Sequence, residues 1–298
     1  MAMLDAHQHF WSVARDDYGW LTPDLPLLFR NFGPEDLAPL MAAAGITGTI
    51  AVQAAETEAE TEFLLDIADR TDFVLGVVGW LDMLAPDFAA ALTRYAARPK
   101  WLGLRPMLQE HPPAAILDQR FQTALAEVAR RDIPFDILTF PRHLPAMLDA
   151  LAKAPDLRGV VDHLSKPDMT RPELGDWAAQ ISALARHPRL MCKISGMVTE
   201  AGTDWSADRI RPFLRHAAQA FGADRLIFGS DWPVCTLAAS HAEVVNLAKN
   251  LLGEVFAAEE LGKIFDGNAR KFYKSNKTQN RSCRSVFIDQ ILLEVPPA

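Results

Sequence analysis

The sequence predicts a single-domain α/β fold, a (β/α)8 barrel of the TIM type, on three observations. Eight short apolar runs alternate with longer amphipathic stretches. The runs are nearly continuous in hydrophobicity, as parallel strands covered on both faces must be. The chain has 298 residues, 49% of them hydrophobic, which suits one closed barrel of about 250 residues. An open doubly wound sheet is the rival, but no G-x-G-x-x-G follows the first run.

In chain order, the first strand is read at Leu4–His9. A long loop, Phe10–Phe32, follows and carries Trp11, Tyr18 and Trp20; loops of this length in compact domains tend to be functional. Pro34–Ala44 reads as a helix with proline in its first turn and Gly45 as its stop. The second strand is Thr47–Gln53, then a helix over Ala59–Arg70; the third is Phe73–Leu81, then a helix over Pro86–Arg98. Trp101–Pro106 is the fourth strand, followed by the helix Phe121–Arg131, and Pro134–Thr139 is the fifth. Gly159–His163 is the sixth, Leu190–Ser195 the seventh and Leu226–Ser230 the eighth, with helices at Pro172–His187 and Ala207–Phe221 between them. The barrel is assigned to residues 1–273. Residues 274–298, a polar stretch followed by the apolar run Val286–Val295, are assigned as an appendage, disordered or placed at an interface.

A net charge of −8 leaves no basic surplus for nucleic-acid phosphates. The charges are mixed along the chain rather than blocked, which argues against an anionic membrane surface. The amino terminus lacks a basic segment followed by an apolar one, and no apolar run approaches a spanning length. Cys192, Cys235 and Cys283 match no metal-binding spacing and fit free thiols in a reducing compartment. The expectation is a cytoplasmic enzyme with a small-molecule substrate; the sequence leaves homo-oligomerisation open.

In such a barrel the residues at the carboxyl ends of the strands converge on one pocket. Those positions supply His7 and His9, Gln53, Trp80, Arg105, Asp136, His163 with Lys166, Lys193, and Asp231. His7 and His9 lie two apart on one strand and so face the same side, where both rings can reach one atom. Asp231 follows an apolar run; as a strand-end carboxylate beside histidines it can accept a proton from water, its rival role being a loop cap. Arg105 can neutralise an oxyanion or serve a structural ion pair. The other histidines, including His143, His187 and His241, fall in helical or loop contexts and are read as surface residues.

Five segments together carry a resemblance: Asp5-Ala-His-Gln-His-Phe-Trp11, Trp20-Leu-Thr-Pro23, Asp162-His-Leu-Ser-Lys-Pro167, Gly229-Ser-Asp-Trp-Pro233 and Gly267-Asn-Ala-Arg270. They resemble the amidohydrolase superfamily, and within it the sugar-lactone hydrolase branch typified by L-fuconolactonase and L-rhamnonolactonase. The resemblance covers about residues 3 to 273 and implies a (β/α)8 barrel that opens a cyclic ester with water. It implies that Asp231 activates the water while His7, His9 and His163 bind metal or polarise the carbonyl, and that Arg105 contacts substrate. The pattern departs from two-metal members, which have a lysine or glutamate on the fourth strand and a histidine on the fifth. Here those strands offer Arg105 and Asp136.

Two cofactor states remain: none, or one divalent metal, zinc first, held by His7, His9 and Asp231 with His163 as a further candidate. Trp20, Trp80 and Trp232 are candidates for a wall against a sugar ring, and Gln53 and Lys166 for hydrogen bonds to its hydroxyls. The alternative activity is a metal-dependent decarboxylase of an aromatic or muconate-type acid on the same barrel.

Overall fold

The eight strands follow one another around the barrel in sequence order. They are β1 (Met3–Gln8), β2 (Ile46–Val52), β3 (Val74–Gly79), β4 (Trp101–Leu104), β5 (Phe135–Ile137), β6 (Gly159–Val161), β7 (Leu190–Ile194) and β8 (Leu226–Phe228). Each pairs in parallel with the next. The seam between β1 and β8 is closed just beyond β8, where Asp231 N donates to His7 O (2.8 Å) and His9 N to Trp232 O (2.7 Å). The computed structural model describes residues 2–274, so the appendage read at 274–298 lies outside the described residues beyond Lys274.

The helices are α1 (Pro34–Ala44), α2 (Glu58–Arg70), α3 (Phe88–Ala96), α4 (Gln119–Arg130), α5 (Leu144–Lys153), α6 (Trp177–Ala185), α7 (Met197–Ala201), α8 (Ala207–Phe221), α9 (His241–Gly253), α10 (Ala258–Gly262) and α11 (Asn268–Phe272). Their starts are chemically marked. Thr57 Oγ1 accepts from Glu60 N (3.1 Å) at α2, and Ser240 and Glu243 cap each other's backbone at α9. Several expected boundaries move. α6 begins at Trp177 rather than Pro172, and β5, β6 and β8 are each only three residues long. The residues read as their carboxyl ends, among them Thr139, His163 and Ser230, have left the ladder and entered the loops.

Two apolar cores result. The larger lies between strands and helices. The smaller fills the barrel, where Leu4, Ala6, Ile50, Val52, Val78, Val160 and Ile227 meet Ala269, Phe272 and Tyr273 from the carboxyl-terminal helix. A bulge in β1 decides where the histidines point. Asp5 pairs with Thr49 and Gln8 with Ala51, so β1 advances one residue more than β2. An extra residue reverses the alternation of faces. Asp5 therefore faces the helices, while His7 turns inward above the apolar layer that contains Ala6.

Candidate active site

Asp231 is the hub. One of its oxygens, Oδ1, lies 3.4 Å from His9 Nε2 and 3.8 Å from both His7 Nε2 and His163 Nε2. All four side chains are buried. Burial alone would raise the Asp231 carboxyl, but His163, the contact with His9 and the charge interaction with His7 outweigh it, and its pKa lies below the ordinary value. Burial lowers His163 to about 4 against the pull of Asp231, so its ring is neutral at physiological pH.

Backbone geometry unusual for side-chain-bearing residues presents these groups. Asp231 has φ +60°, and His163, Leu164, Ser165 and Lys166 form four successive left-handed residues with φ between +50° and +60°. Each costs of order 1–2 kcal/mol for an L-residue, and such strain gathers at functional sites. Side chains hold the turn: Trp177 Nε1 donates to Leu164 O (2.7 Å), Thr139 and Ser165 hydroxyls are 3.0 Å apart, and Ser195 Oγ is 2.8 Å from His163 Nδ1. Two glycines make room. A Cβ on Gly229 would lie 2.5 Å from His7 Cβ, and one on Gly196, at φ +65°, would lie 2.8 Å from the His163 ring.

On the helix side of the seam, Asp5 accepts from His7 N (3.1 Å), Ser230 N (2.8 Å) and Ser230 Oγ (2.5 Å). It thereby ties the first-strand histidines to the loop that carries Asp231. Arg105 is held by a reciprocal clamp. Gln53 Nε2 donates to Arg105 O (2.7 Å), and Arg105 Nη2 donates to Gln53 O. Arg105 Nη1 then reaches 3.4 Å from His7 Nε2 and 3.5 Å from Asp162 Oδ2.

Beneath His7 lies a buried polar chain. Lys193 Nζ is 3.1 Å from His7 Nδ1, hydrogen-bonds Asp136, and pairs with Asp162 Oδ1 at 3.1 Å. Tyr273 donates its hydroxyl to Asp136, 2.8 and 2.9 Å from the two oxygens. Burial raises Asp136 to about 6 despite the adjacent ammonium.

A small cavity of about 170 Å³ opens onto this centre, lined by His9, Trp20, Arg105, His163, Lys166 and Asp231 together with Met107, Gln109, Glu110 and Leu138. A larger concavity of about 760 Å³ sits over the β6–α6 loop and has no histidine in its wall; the smaller one holds the chemistry. Trp20, from the long first loop, is fixed by Nε1–H donation to Ala54 O (2.7 Å). Lys166 Nζ lies 4.0 Å from Glu200 Oε1 at the rim.

Three expected substrate contacts are elsewhere. Gln53 is buried behind Arg105 as its clamp. Trp232 is buried against Phe10 and Phe32, because the left-handed Asp231 sends the next side chain away from the pocket. Trp80 is tied by its backbone to Thr61 Oγ1 and is absent from the cavity lining.

Two histidines read as surface residues are buried. His143 sits at the start of α5 with Nδ1 accepting from Phe140 N (3.0 Å), and His241 at the start of α9 has Nε2 4.0 Å from Asp5. Residues the sequence reading undervalued are Asp162, which adjoins His163 at the end of β6, together with Lys193 and Asp5. Each is a charge next to or within an apolar strand, and that was the available signal.

The donor set fits one divalent cation. Among the described residues, the only acceptor at His9 Nδ1 is the Val52 carbonyl, 2.8 Å away. Nδ1 must therefore carry the proton, which leaves the Nε2 lone pair facing the Asp231 oxygen. Two acceptors at 3.4 Å call for a cation or a shared proton between them, and His7, His9 and Asp231 bring their ligand atoms within 4.8 Å of one another.

A model of the amidohydrolase family (Amidohydro_2) matches residues 4–274. The chain belongs to the amidohydrolase family. An L-fucono-1,5-lactonase of Burkholderia ambifaria is 39% identical over 278 residues, 92% of this chain and 96% of that protein. Among solved structures, an amidohydrolase from Burkholderia multivorans with bound zinc superposes with a TM-score of 0.86 at 36% identity, covering 92% of this chain and 99% of that one. A 2,6-dihydroxybenzoate decarboxylase from Rhizobium reaches 0.64 at 15% identity over 92% and 98% of the two chains, a likeness of fold alone. In this amidohydrolase no helix among the described residues is long and apolar enough to cross a membrane.

Proposed function

We propose that this amidohydrolase opens a sugar-acid lactone, an aldonolactone such as L-fuconolactone, with Asp231 as general base. The observation that carries the reading is one ionised, buried carboxylate facing three imidazoles at 3.4 to 3.8 Å. The 39% identity to a lactonase over most of both chains supplies the substrate class.

The carboxylate takes a proton from water, and the hydroxide adds to the lactone carbonyl. The developing oxyanion falls to Arg105, whose guanidinium is held by Gln53, and to imidazole N–H groups; preorganised donors of this kind are worth several kcal/mol in a water-poor site. Collapse breaks the ring C–O bond, and the leaving alkoxide recovers the proton held by Asp231. The product is a hydroxy acid that ionises on release. Trp20 and Lys166 line the cavity and are the candidates to hold the sugar. A divalent ion held by His7, His9 and Asp231, zinc by donor type, would supply Lewis-acid polarisation of the carbonyl and a more acidic water.

Lactone opening ends in release of a proton, so a panel of aldonolactones in weak buffer with a pH indicator tests the reading directly. The expected result is turnover of at least one six-carbon lactone with kcat/KM of about 10⁴ M⁻¹s⁻¹ or more. Proton release no faster than the spontaneous rate across the panel would overturn it. Running the panel with and without chelator separates the two cofactor states.

A further inference from the structure

We propose that Lys193 is a positioning residue that fixes the proton of His7 on Nε2, setting this ring to donate toward the pocket in the metal-free state, so that His7 joins His9 and Asp231 around a cation only after that proton moves. Donors and acceptors decide the tautomer. Lys193 is fully buried on β7, and its ammonium hydrogen-bonds Asp136 and His7 Nδ1, the latter at 3.1 Å. An ammonium has three donors and no acceptor. His7 Nδ1 must therefore accept, and a neutral imidazole that accepts at Nδ1 carries its proton on Nε2. That N–H points toward Asp231 Oδ1, 3.8 Å away.

Two contacts compete, and both are weaker. Asp162 Oδ1 lies 3.5 Å from the same Nδ1, farther than the 3.1 Å of Lys193, and is itself paired with the Lys193 ammonium at 3.1 Å. Arg105 Nη1 lies 3.4 Å from Nε2, yet one neutral ring cannot accept at both nitrogens. Arg105 has another acceptor in Asp162 Oδ2 at 3.5 Å. Lys193 is fixed among three partners that match its three donors: His7 Nδ1 and Asp162 Oδ1, each at 3.1 Å, and Asp136, which is held in turn by the Tyr273 hydroxyl at 2.8 and 2.9 Å.

His9 shows the contrast. Its Nδ1–H donates to the Val52 carbonyl at 2.8 Å, the arrangement that leaves Nε2 free for a metal. His7 has an ammonium where His9 has a carbonyl, so the two rings of one H-x-H motif are set in opposite tautomers.

The consequence for turnover rests on the lactonase reading, but the ring proton does not, so substrate-free protein separates the two. In metal-free wild-type protein labelled with ¹⁵N-histidine, with the His7 signals assigned by their loss in His7→Gln, Nε2 of His7 should be the protonated, pyrrole-type nitrogen and Nδ1 that of His9. A protonated Nδ1 on His7 would overturn the proposal. The paired variant Asp136→Asn/Lys193→Met removes one charge of each sign. Its zinc affinity by calorimetry should rise about tenfold or more over wild type, with the His7 proton moving to Nδ1. Unchanged affinity in a folded double variant would overturn the proposal too, and if the variant does not fold, the wild-type spectrum decides alone.

Discussion

The barrel interior holds two layers built on the same strands, and they obey opposite rules. In the lower layer Leu4, Ile50, Val78, Val160 and Ile227 pack on one another and are closed from below by Phe272 and Tyr273. In the upper layer Asp136, Asp162, Lys193, His7 and Arg105 are just as buried, yet they are linked to one another by ion pairs and hydrogen bonds. Buried apolar side chains contribute roughly 1.5–3 kcal/mol each. Buried ion pairs often contribute nothing relative to well-packed apolar residues of the same volume. The lower layer therefore maintains the fold, and the upper one persists because it organises a reaction.

Substitutions in the two layers should separate accordingly. Asp231→Asn should show the largest effect, a loss of about 10³-fold or more in kcat/KM with a thermal midpoint at or above that of wild type. A variant that keeps its activity would end the assignment of Asp231 as base. Ile227→Ala should do the reverse, losing about 2–5 kcal/mol in urea denaturation while the folded fraction keeps its KM and kcat. A large kcat defect with unchanged stability would dissolve the distinction between layers.

The smallest effect is expected from acid, through His163. Its folded pKa of about 4 lies below the ordinary 6.5, so the unfolded chain binds a proton that the native one refuses between those values. Stability contributed by the neutral ring is complete above pH 6.5 and is lost as pH falls toward 4, by roughly 2–3 kcal/mol. Denaturation midpoints measured from pH 7 to 4.5 should fall along that curve in wild type and fall less in His163→Gln.

The fold was legible because each strand is an apolar run of the right length separated by a helical stretch. The centre was legible in part for the same reason: a histidine pair and an aspartate at the ends of apolar runs are costly to bury unless they meet one another. What stayed hidden depends on geometry finer than spacing. The inward turn of His7 comes from the bulge between Asp5 and Gln8, and a bulge has no residue signature here. Trp232 was expected at the pocket and lies behind it because Asp231 is left-handed. His143 and His241 read as surface residues from their helical or loop contexts, but both are buried at helix starts. Lys193 and Asp136 read only as separate strand-end positions; their significance is in the pair.

The seam of the barrel gives the molecule a particular history during synthesis. The hydrogen bonds Asp231 N to His7 O and His9 N to Trp232 O join residues more than two hundred positions apart, and the same bonds bring the carboxylate to its imidazoles. No nascent chain shorter than these segments has a working centre, however many of its early βα units have already formed. Such long-range pairing is the slow step of folding in topologies of this kind. Activity should therefore appear abruptly and last, in step with closure of the sheet, which makes the onset of turnover a kinetic reporter of barrel completion.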